Sequence, residues 1–311
     1  MTDIIDTQLA NLSNKKELSQ ELKRRAMRTD YLGTFFKYLF FLSAFIGVLS
    51  VATIGYFLFY EGIPAIKHAG LIEFLSGREW LPPALYGIAS MIVASLVSSL
   101  GAVIIGVPIA ILCAVFLAEI APKWLANLVR PAIELLAGIP SVVYGFFGLV
   151  IIVPAIQTLF NIPAGSTLLA AIIVLSVMIL PTVITIAETS IRAVPSTYKE
   201  GALALGASQV YTIFKVILPA ARSGILAGIV LGVARAVGET MAIIMVMGNA
   251  PAMPNSLLES ARSLTANIAL EMSYATGMHA SSLYATGIVL LIFVMLLNAC
   301  LLYLNRQRAY S

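Results

Sequence analysis

The chain has 311 residues, of which 60% are hydrophobic and only 11% are charged, and its mean hydropathy is +0.96. A soluble domain carries roughly 25% charged residues, so most of this chain has no water-facing side and the composition excludes an ordinary soluble protein. The net charge is +4, and the two isolated cysteines, Cys113 and Cys300, support neither a disulfide framework nor a metal site.

Six apolar segments follow one another along the chain, and each has at least the roughly 20 residues that a membrane-spanning helix needs. Lipid offers no hydrogen-bond partner to an open backbone, so these runs are predicted to be helices. The first 33 residues are polar and basic, and we expect no cleavable signal peptide. The segments cover residues 34–60, 84–117, 131–158, 166–187, 223–248 and 281–304.

Basic residues orient the predicted bundle, because lysine and arginine are concentrated in cytoplasmic segments. With a cytoplasmic N-terminus, the inside segments hold fifteen of the nineteen basic residues, all but Lys67, Arg78, Arg235 and Arg262. The bias predicts an all-α membrane protein with six spans and both termini in the cytoplasm. The inside segments are 1–37, 118–130, 188–222 and 305–311.

The same pattern divides the chain into three parts. A cytoplasmic N-terminal segment over 1–33 precedes a transmembrane domain over 34–304, and a cytoplasmic tail over 305–311 follows. Two sizeable external segments are predicted at 61–83 and 249–280. The second of these contains an amphipathic stretch from about Leu257 to Tyr274.

The cytoplasmic segment 188–222 has the punctuation of two short helices. Pro195 and the serine after it are suited to opening a helix, Gly206 to ending it, and a second helix stops near Leu218–Pro219. An ordinary connecting loop is the alternative, but it does not explain this order of helix, glycine turn and terminal Leu-Pro.

This segment resembles the coupling motif in permease subunits of bacterial ABC importers. That motif reads Glu-Ala-Ala, three residues, Gly, nine residues, Ile-x-Leu-Pro, and the spacing matches here. Gly201 and Val216 replace an alanine and the isoleucine. The resemblance implies a helix that sits in a groove of an ATPase subunit, and its coupling residues are then Glu200, Gly201, Ala202, Gly206, Leu218 and Pro219.

A charged residue lies deep in the fifth predicted span. Arg235 is about 12 residues inside the cytoplasmic boundary, or roughly 18 Å, where a buried charge indicates function by default. Glu239 follows four residues later and is expected on the same helix face. The pair is either a structural ion pair or a path element in which the guanidinium binds a passing oxyanion. Ser141 is a further candidate for the substrate path, although packing is its default role.

Several runs narrow the resemblance to the permeases of phosphate importers, of the PstC type. They are Glu134–Gly145, Arg235–Ala242 with Gly248–Asn249, and Ser263–Met272. The resemblance implies a type I ABC importer permease fold and a phosphate path shared with a second permease of the PstA type. It also implies an ATPase dimer of the PstB type, which carries ATP and magnesium, and a periplasmic phosphate-binding protein of the PstS type.

Other functions remain open at this point. The anion could instead be molybdate or sulfate, or the chain could be a self-sufficient secondary transporter, for which six spans is small. The sequence lacks HExxH, a His-rich metal set and a phosphate-binding loop, so we expect no catalysis, metal or cofactor in this chain, and no nucleic-acid partner. Phosphate near neutral pH carries a proton and sulfate does not, so Glu239 is a candidate for discriminating between them.

Overall fold

A computed structural model describes the backbone of residues 2–307 and the side chains of residues 33–296, 298 and 299. The last four residues of the predicted tail over 305–311 and the side chain of Cys300 lie outside the described residues. The chain divides into two compact units, residues 1–57 and 58–311.

The first unit belongs to one long helix, α1 (Thr2–Ala69), which contains both the predicted N-terminal segment from its second residue onward and the first span. The large apolar side chains from Phe35 to Phe57 are exposed, as expected of a helix whose surroundings are lipid. The hydroxyls of Ser43, Ser50 and Thr53 donate to the carbonyl four residues earlier, at 2.8–2.9 Å. These polar groups are therefore satisfied within the helix.

The second unit is mostly helical, with one small hairpin in which β1 (Trp80–Leu81) pairs antiparallel with β2 (Leu85–Tyr86). Three π-helical turns extend or connect its α-helices, over Phe116–Ile120, Gly148–Ile152 and Ile213–Ile217. The helices are α2 (Leu71–Ser76), α3 (Ala89–Val115), α4 (Lys123–Gly138), α5 (Ser141–Phe147), α6 (Val153–Phe160), α7 (Leu168–Arg192), α8 (Ser196–Ala204), α9 (Gln209–Thr212), α10 (Leu218–Ala220), α11 (Arg222–Gly238), α12 (Met241–Val246), α13 (Leu264–Glu271) and α14 (Met278–Gln307).

Five helices of the described chain are long and apolar enough to cross a membrane. A sixth is present if the pair 209–220 and 222–238, bent by 71°, forms one span. The five are Gly33–Ala69, Ala89–Ile120, Ser141–Phe160, Leu168–Arg192 and Met278–Leu296.

Two predicted span boundaries are wrong. The third crossing helix starts at Ser141 rather than 131, because Pro140 disfavours a helical conformation at Ile139 and α4 ends at Gly138. The second starts at Ala89 rather than 84, because the hairpin occupies the residues before it.

The core of the second unit is the packing of α7 between α3 and α11. Buried residues of α7 on several faces contact both neighbours, and small residues on α3 let the backbones approach closely. A Cβ at Gly106 would lie 2.8 Å from Cδ1 of Ile179. Close contact of this kind stabilises helix association in lipid, where exclusion of water contributes little.

The segment 249–280, which was predicted to be external, folds back onto the helix ends. Before α14 begins at Met278, it is helical only over α13, so the predicted amphipathic stretch from Leu257 to Tyr274 is too long. The remaining loop caps α7, whose Leu168 and Leu169 amides donate to the carbonyls of Glu259 and Leu257 at 2.9 and 2.8 Å. These bonds satisfy donors that a helix N-terminus leaves free.

Candidate substrate path and coupling surface

Arg235 lies deep in α11, about 20 Å from its first residue at 1.5 Å per residue. The side chain is half-buried, and its Nη1 lies 3.4 Å from the Thr182 hydroxyl on α7. None of the salt bridges among the described residues includes Arg235. The guanidinium is therefore held by a neutral neighbour, and its positive charge is not cancelled by a carboxylate.

Glu239 does not share a helix face with Arg235, and that prediction is wrong. Helix α11 ends at Gly238, and Glu239 has extended backbone with ψ 132°. Its Oε1 accepts a hydrogen bond from the Ala242 amide at 3.1 Å, so the carboxylate caps the start of α12. A negative charge at a helix N-terminus is favourable, and this cap stands where a structural ion pair with Arg235 was one of the two alternatives.

A second broken helix lies beside this one. The α4–α5 break is bridged by Tyr144, whose hydroxyl donates to the Leu136 carbonyl at 2.7 Å. Arg235 is close enough to interact electrostatically with this hydroxyl. Gly145 lets α5 approach α12, since a Cβ there would lie 2.8 Å from the Ala242 Cα. Discontinuous helices that meet near the membrane midplane form substrate sites in transporters.

Ser141 is the first residue of α5 and is half-buried. It lies at the α4–α5 break, three residues before Tyr144, and its hydroxyl makes no hydrogen bond to the described residues. The structure therefore places Ser141 on the same short helix as a neighbour of Arg235, but it shows no direct bond between Ser141 and either charged candidate.

Helix α13 supports the α11–α12 break. The Thr265 hydroxyl donates to the Glu239 carbonyl at 2.9 Å, which satisfies a backbone group that the break releases. Ser263 caps α13 through the Ala266 amide, and Ser95 on α3 accepts from the Leu264 amide. Thr265 was not among the predicted site residues. Ser263, directly before an apolar run, was the available signal for the start of a helix.

Glu271, at the other end of α13, joins three separate segments. Its Oε1 lies 2.5 Å from Nη1 of Arg262, and its Oε2 accepts from Trp80 Nε1 and contacts His279 Nε2, both at 2.8 Å. Burial alone would raise the pKa of this carboxyl. The hydrogen bonds from Trp80, His279 and Arg262, with the charge of Arg262, outweigh that effect and hold its pKa below the usual value.

At the C-terminal end of α7, Glu188 is a buried carboxylate with two cationic partners. Nε of Arg130 lies 2.6 Å from its Oε1, and Nε of Arg192 lies 2.9 Å from the same atom. Arg130 thus pairs with Glu188 and not with Glu134, which lies four residues after it on α4. A buried carboxylate needs a partner more than an exposed one does, and α4 places Arg130 against Glu188.

The cytoplasmic segment has the predicted helix, glycine turn and helix. Helix α8 ends before Gly206, whose φ of +84° suits glycine, and Ser208 caps α9 through the Tyr211 amide at 3.3 Å. Lys199 on α8 lies 2.5 Å from Glu119 in the π-helical turn after α3. This ion pair links α8 to the end of a spanning helix.

The surface of this segment is open and partly apolar. Helix α8 has no buried residue, and Leu205, Val210 and Tyr211 are 91%, 66% and 57% exposed. An exposed apolar patch of this kind indicates an interaction site. Of the predicted coupling residues, Ala202 and Leu218 are half-buried, and the exposed ones are Glu200, Gly201, Gly206 and Pro219.

The class of protein follows from the fold and the site together. One chain of an inward-facing structure of the MetNI methionine ABC transporter aligns with TM-score 0.54 and 23% identity, over 71% of this chain and 94% of that one. A chain of an amino acid ABC transporter aligns with TM-score 0.51 and 19% identity. The fold is therefore that of a membrane-embedded ABC importer subunit.

The chain belongs to the family described as binding-protein-dependent transport system inner membrane components, whose model matches residues 106–309. It is therefore a multi-pass membrane protein with a transport role. It is 39% identical to the probable ABC transporter permease protein YqgH of Bacillus subtilis, over 85% of this chain and 88% of that protein. It is also 35% identical to the phosphate transport system permease protein PstC of Xylella fastidiosa, over 91% and 93%. It is 39% identical to PstC of Pasteurella multocida, over 70% of this chain and 74% of that protein.

The lowered pKa of Glu271 predicts how stability depends on pH. A carboxyl with a lowered folded-state pKa stabilises the fold above its unfolded-state pKa, and the contribution is lost as the pH falls through the folded-state value. At about pH 6, Glu271→Gln should therefore lower the free energy of unfolding by about 3 kcal/mol, because it breaks a buried ion pair. The difference should shrink as the pH falls below the usual carboxyl pKa of about 4.3, and it should vanish once the pH is below the lowered folded-state value.

Thermal melting of the purified protein across this pH range is the measurement. Glu79→Gln is the matched control, since Glu79 is an exposed external carboxylate, and its melting temperature should follow the parent at every pH. If the difference in melting temperature between the parent and Glu271→Gln stays constant down to acid pH, the role assigned to this carboxylate is contradicted.

Proposed function

We propose that this chain is the permease subunit of an ATP-driven phosphate importer and forms half of the path through the membrane. Relatives that cover most of the chain are named as phosphate transport permeases, and the site offers chemistry that suits phosphate. The observation that carries the proposal is Arg235, a cation deep in the membrane with a hydroxyl neighbour and no salt bridge among the described residues.

Arg235 attracts the anion and gives it hydrogen bonds. Guanidinium presents donors in a planar fork that fits two oxygens of a phosphate group. A charge at this depth is costly in lipid, so its side chain faces a hydrated path rather than the acyl chains. Phosphate supplies the counter-charge as it passes. Ser141 on α5, near the same level, contributes a hydroxyl to the wall of the path.

Energy for import comes from partner subunits. The exposed surface of α8 and α9 docks on an ATPase of the PstB type, which binds ATP and magnesium, and the Lys199–Glu119 pair connects that surface to α3. A second permease of the PstA type completes the path, and a periplasmic binding protein of the PstS type delivers phosphate. The chain itself catalyses no reaction.

Replacing the deep arginine should stop phosphate movement without stopping ATP hydrolysis. We expect Arg235→Gln to lower ATP-dependent import at least 10-fold, the order of effect of losing one charged hydrogen-bond partner. Arg235→Lys should retain part of the activity, because it keeps the charge and loses the fork. Uptake of labelled phosphate into proteoliposomes that contain all partners is the measurement, with complex assembly and ATPase rate as controls. Normal import by an assembled Arg235→Gln complex would show that the path lies elsewhere.

Glu239 discriminates phosphate from sulfate in this proposal. The carboxylate accepts a hydrogen bond from the phosphate proton and repels sulfate, which has none. Glu239→Gln is a selective change, because the amide oxygen still accepts from the Ala242 N–H and only the charge is lost. We expect this variant to import phosphate and to exclude sulfate roughly 5-fold less well than the parent does. This factor corresponds to the free energy of about one neutral hydrogen bond.

Competition by sulfate during phosphate uptake measures this directly. Glu239→Ala is the matched variant that loses both the charge and the cap, and it should also lower stability by about 1 kcal/mol. If Glu239→Gln excludes sulfate as well as the parent does, the residue acts only as the cap of α12.

A further inference from the structure

Two arginines converge at the cytoplasmic end of α7. Arg130 and Arg192 both donate from Nε to Oε1 of Glu188, and both Nη2 groups lie near the Leu117 carbonyl oxygen, at 3.5 and 2.9 Å. Each guanidinium has five N–H donors, and neither Nη1 has a hydrogen-bond partner among the described residues. The two cations therefore share one anchor and keep donors available.

The charges at this point do not balance locally. Glu188 is buried and cancels one of the two arginine charges, whereas Glu134 is exposed at the rim, where water screens it. Like charges held this close repel each other, and an anion between them relieves the repulsion. The arginines border a cavity of about 190 Å³. Its lining residues are Arg130, Ile133, Glu134, Thr185, Glu188, Thr189 and Arg192.

A row of hydroxyls connects this cavity with Arg235. Three threonines and an arginine share one face of α7, because they are spaced three, four and three residues apart. They are Thr182, Thr185, Thr189 and Arg192. Thr182 contacts Arg235 at one end of the row, and Arg192 lies at the other, about 15 Å away at 1.5 Å per residue. The exposed side chains of Thr185 and Thr189 fit a hydrated path, because polar side chains in spanning helices face cavities rather than lipid.

The threonines present acceptors rather than donors. The Thr185 hydroxyl donates to the Pro181 carbonyl and the Thr189 hydroxyl to the Thr185 carbonyl, both at 2.8 Å. Each oxygen keeps lone pairs for a further bond. A phosphate ion that carries a proton donates to such an oxygen, while its other oxygens accept from the arginines. The cavity thus matches both the charge and the protonation of phosphate.

We propose that this cavity is a second phosphate-binding site, at which the ion pauses between Arg235 and the cytoplasm. The proposal rests on the phosphate-import function. The phosphate group has two sources, the free ion and the headgroup of an anionic lipid. The threonine row favours the free ion, because it leads from the cavity to Arg235 and not outward to the headgroup region.

Phosphate binding to the nucleotide-free complex of both permeases and the ATPase, without binding protein, tests the site. Titrating labelled inorganic phosphate in an Arg235→Gln background removes the deeper site from the signal. Adding Arg192→Gln should raise the Kd at least 10-fold, and adding Thr189→Val about 5-fold. Thr189→Val leaves the Glu188 ion pairs intact, so it remains informative if Arg192→Gln does not assemble.

Thr158→Val is the matched control, because Thr158 makes the same bond to the carbonyl four residues earlier, at 2.7 Å, on α6 outside the cavity. Its Kd should equal that of the background. A Kd unchanged in all variants would overturn the proposal and leave the arginines as a structural clamp. Nanodiscs prepared with and without an anionic lipid distinguish the two sources. If the Kd for phosphate rises only when the anionic lipid is present, the site belongs to the lipid headgroup, and the assignment to the free ion is overturned.

Uptake by the parent complex separates this proposal from the one it rests on. If the parent does not import phosphate, the proposed function fails. If it imports phosphate and the cavity variants bind phosphate like the background, only the second site fails.

Discussion

A positive charge deep in the membrane sets the main constraint on this structure. Arg235 is expensive to hold in lipid, and in the part of the chain that the structure describes it bonds to the Thr182 hydroxyl and forms no salt bridge with a carboxylate. An ion pair would have neutralised it and removed its attraction for an anion. The surrounding helices instead keep the guanidinium charged, half-buried and beside two helix breaks.

The breaks give this region its chemistry, and other residues make them tolerable. Each break releases backbone groups that lipid cannot satisfy. At the α4–α5 break, the Tyr144 hydroxyl donates a hydrogen bond to the Leu136 carbonyl. At the α11–α12 break, the Glu239 carboxylate accepts from the Ala242 amide, and the Thr265 hydroxyl donates to the Glu239 carbonyl. Because Thr265 and Glu271 lie on the same short helix, α13 connects the external surface to the break next to Arg235.

Periodicity and charge placement predicted the parts of the fold that depend on local sequence. Long apolar runs locate most of the spanning helices, and a proline, a glycine and their spacing locate α8, α9 and the turn between them. The break after Gly238 escaped prediction because Arg235 and Glu239 fit an uninterrupted helix equally well, and the contacts that favour a break come from α13. The partners of Glu188 and Glu271 escaped for a similar reason: Arg130 and Trp80 are distant in sequence, and only the packed fold brings them together.

The most direct test of the account is the access of water to the Thr182 position. In a complex whose Cys113 and Cys300 are replaced by alanine, Thr182→Cys should react with a charged, membrane-impermeant thiol reagent added from the cytoplasmic side, and phosphate should slow that reaction. Val177→Cys, on the same helix, is the control: Val177 is apolar and partly exposed, so we expect this position to face lipid and to stay unreactive. If Thr182→Cys is as inert as Val177→Cys, Arg235 does not line an aqueous anion path and the central claim is wrong.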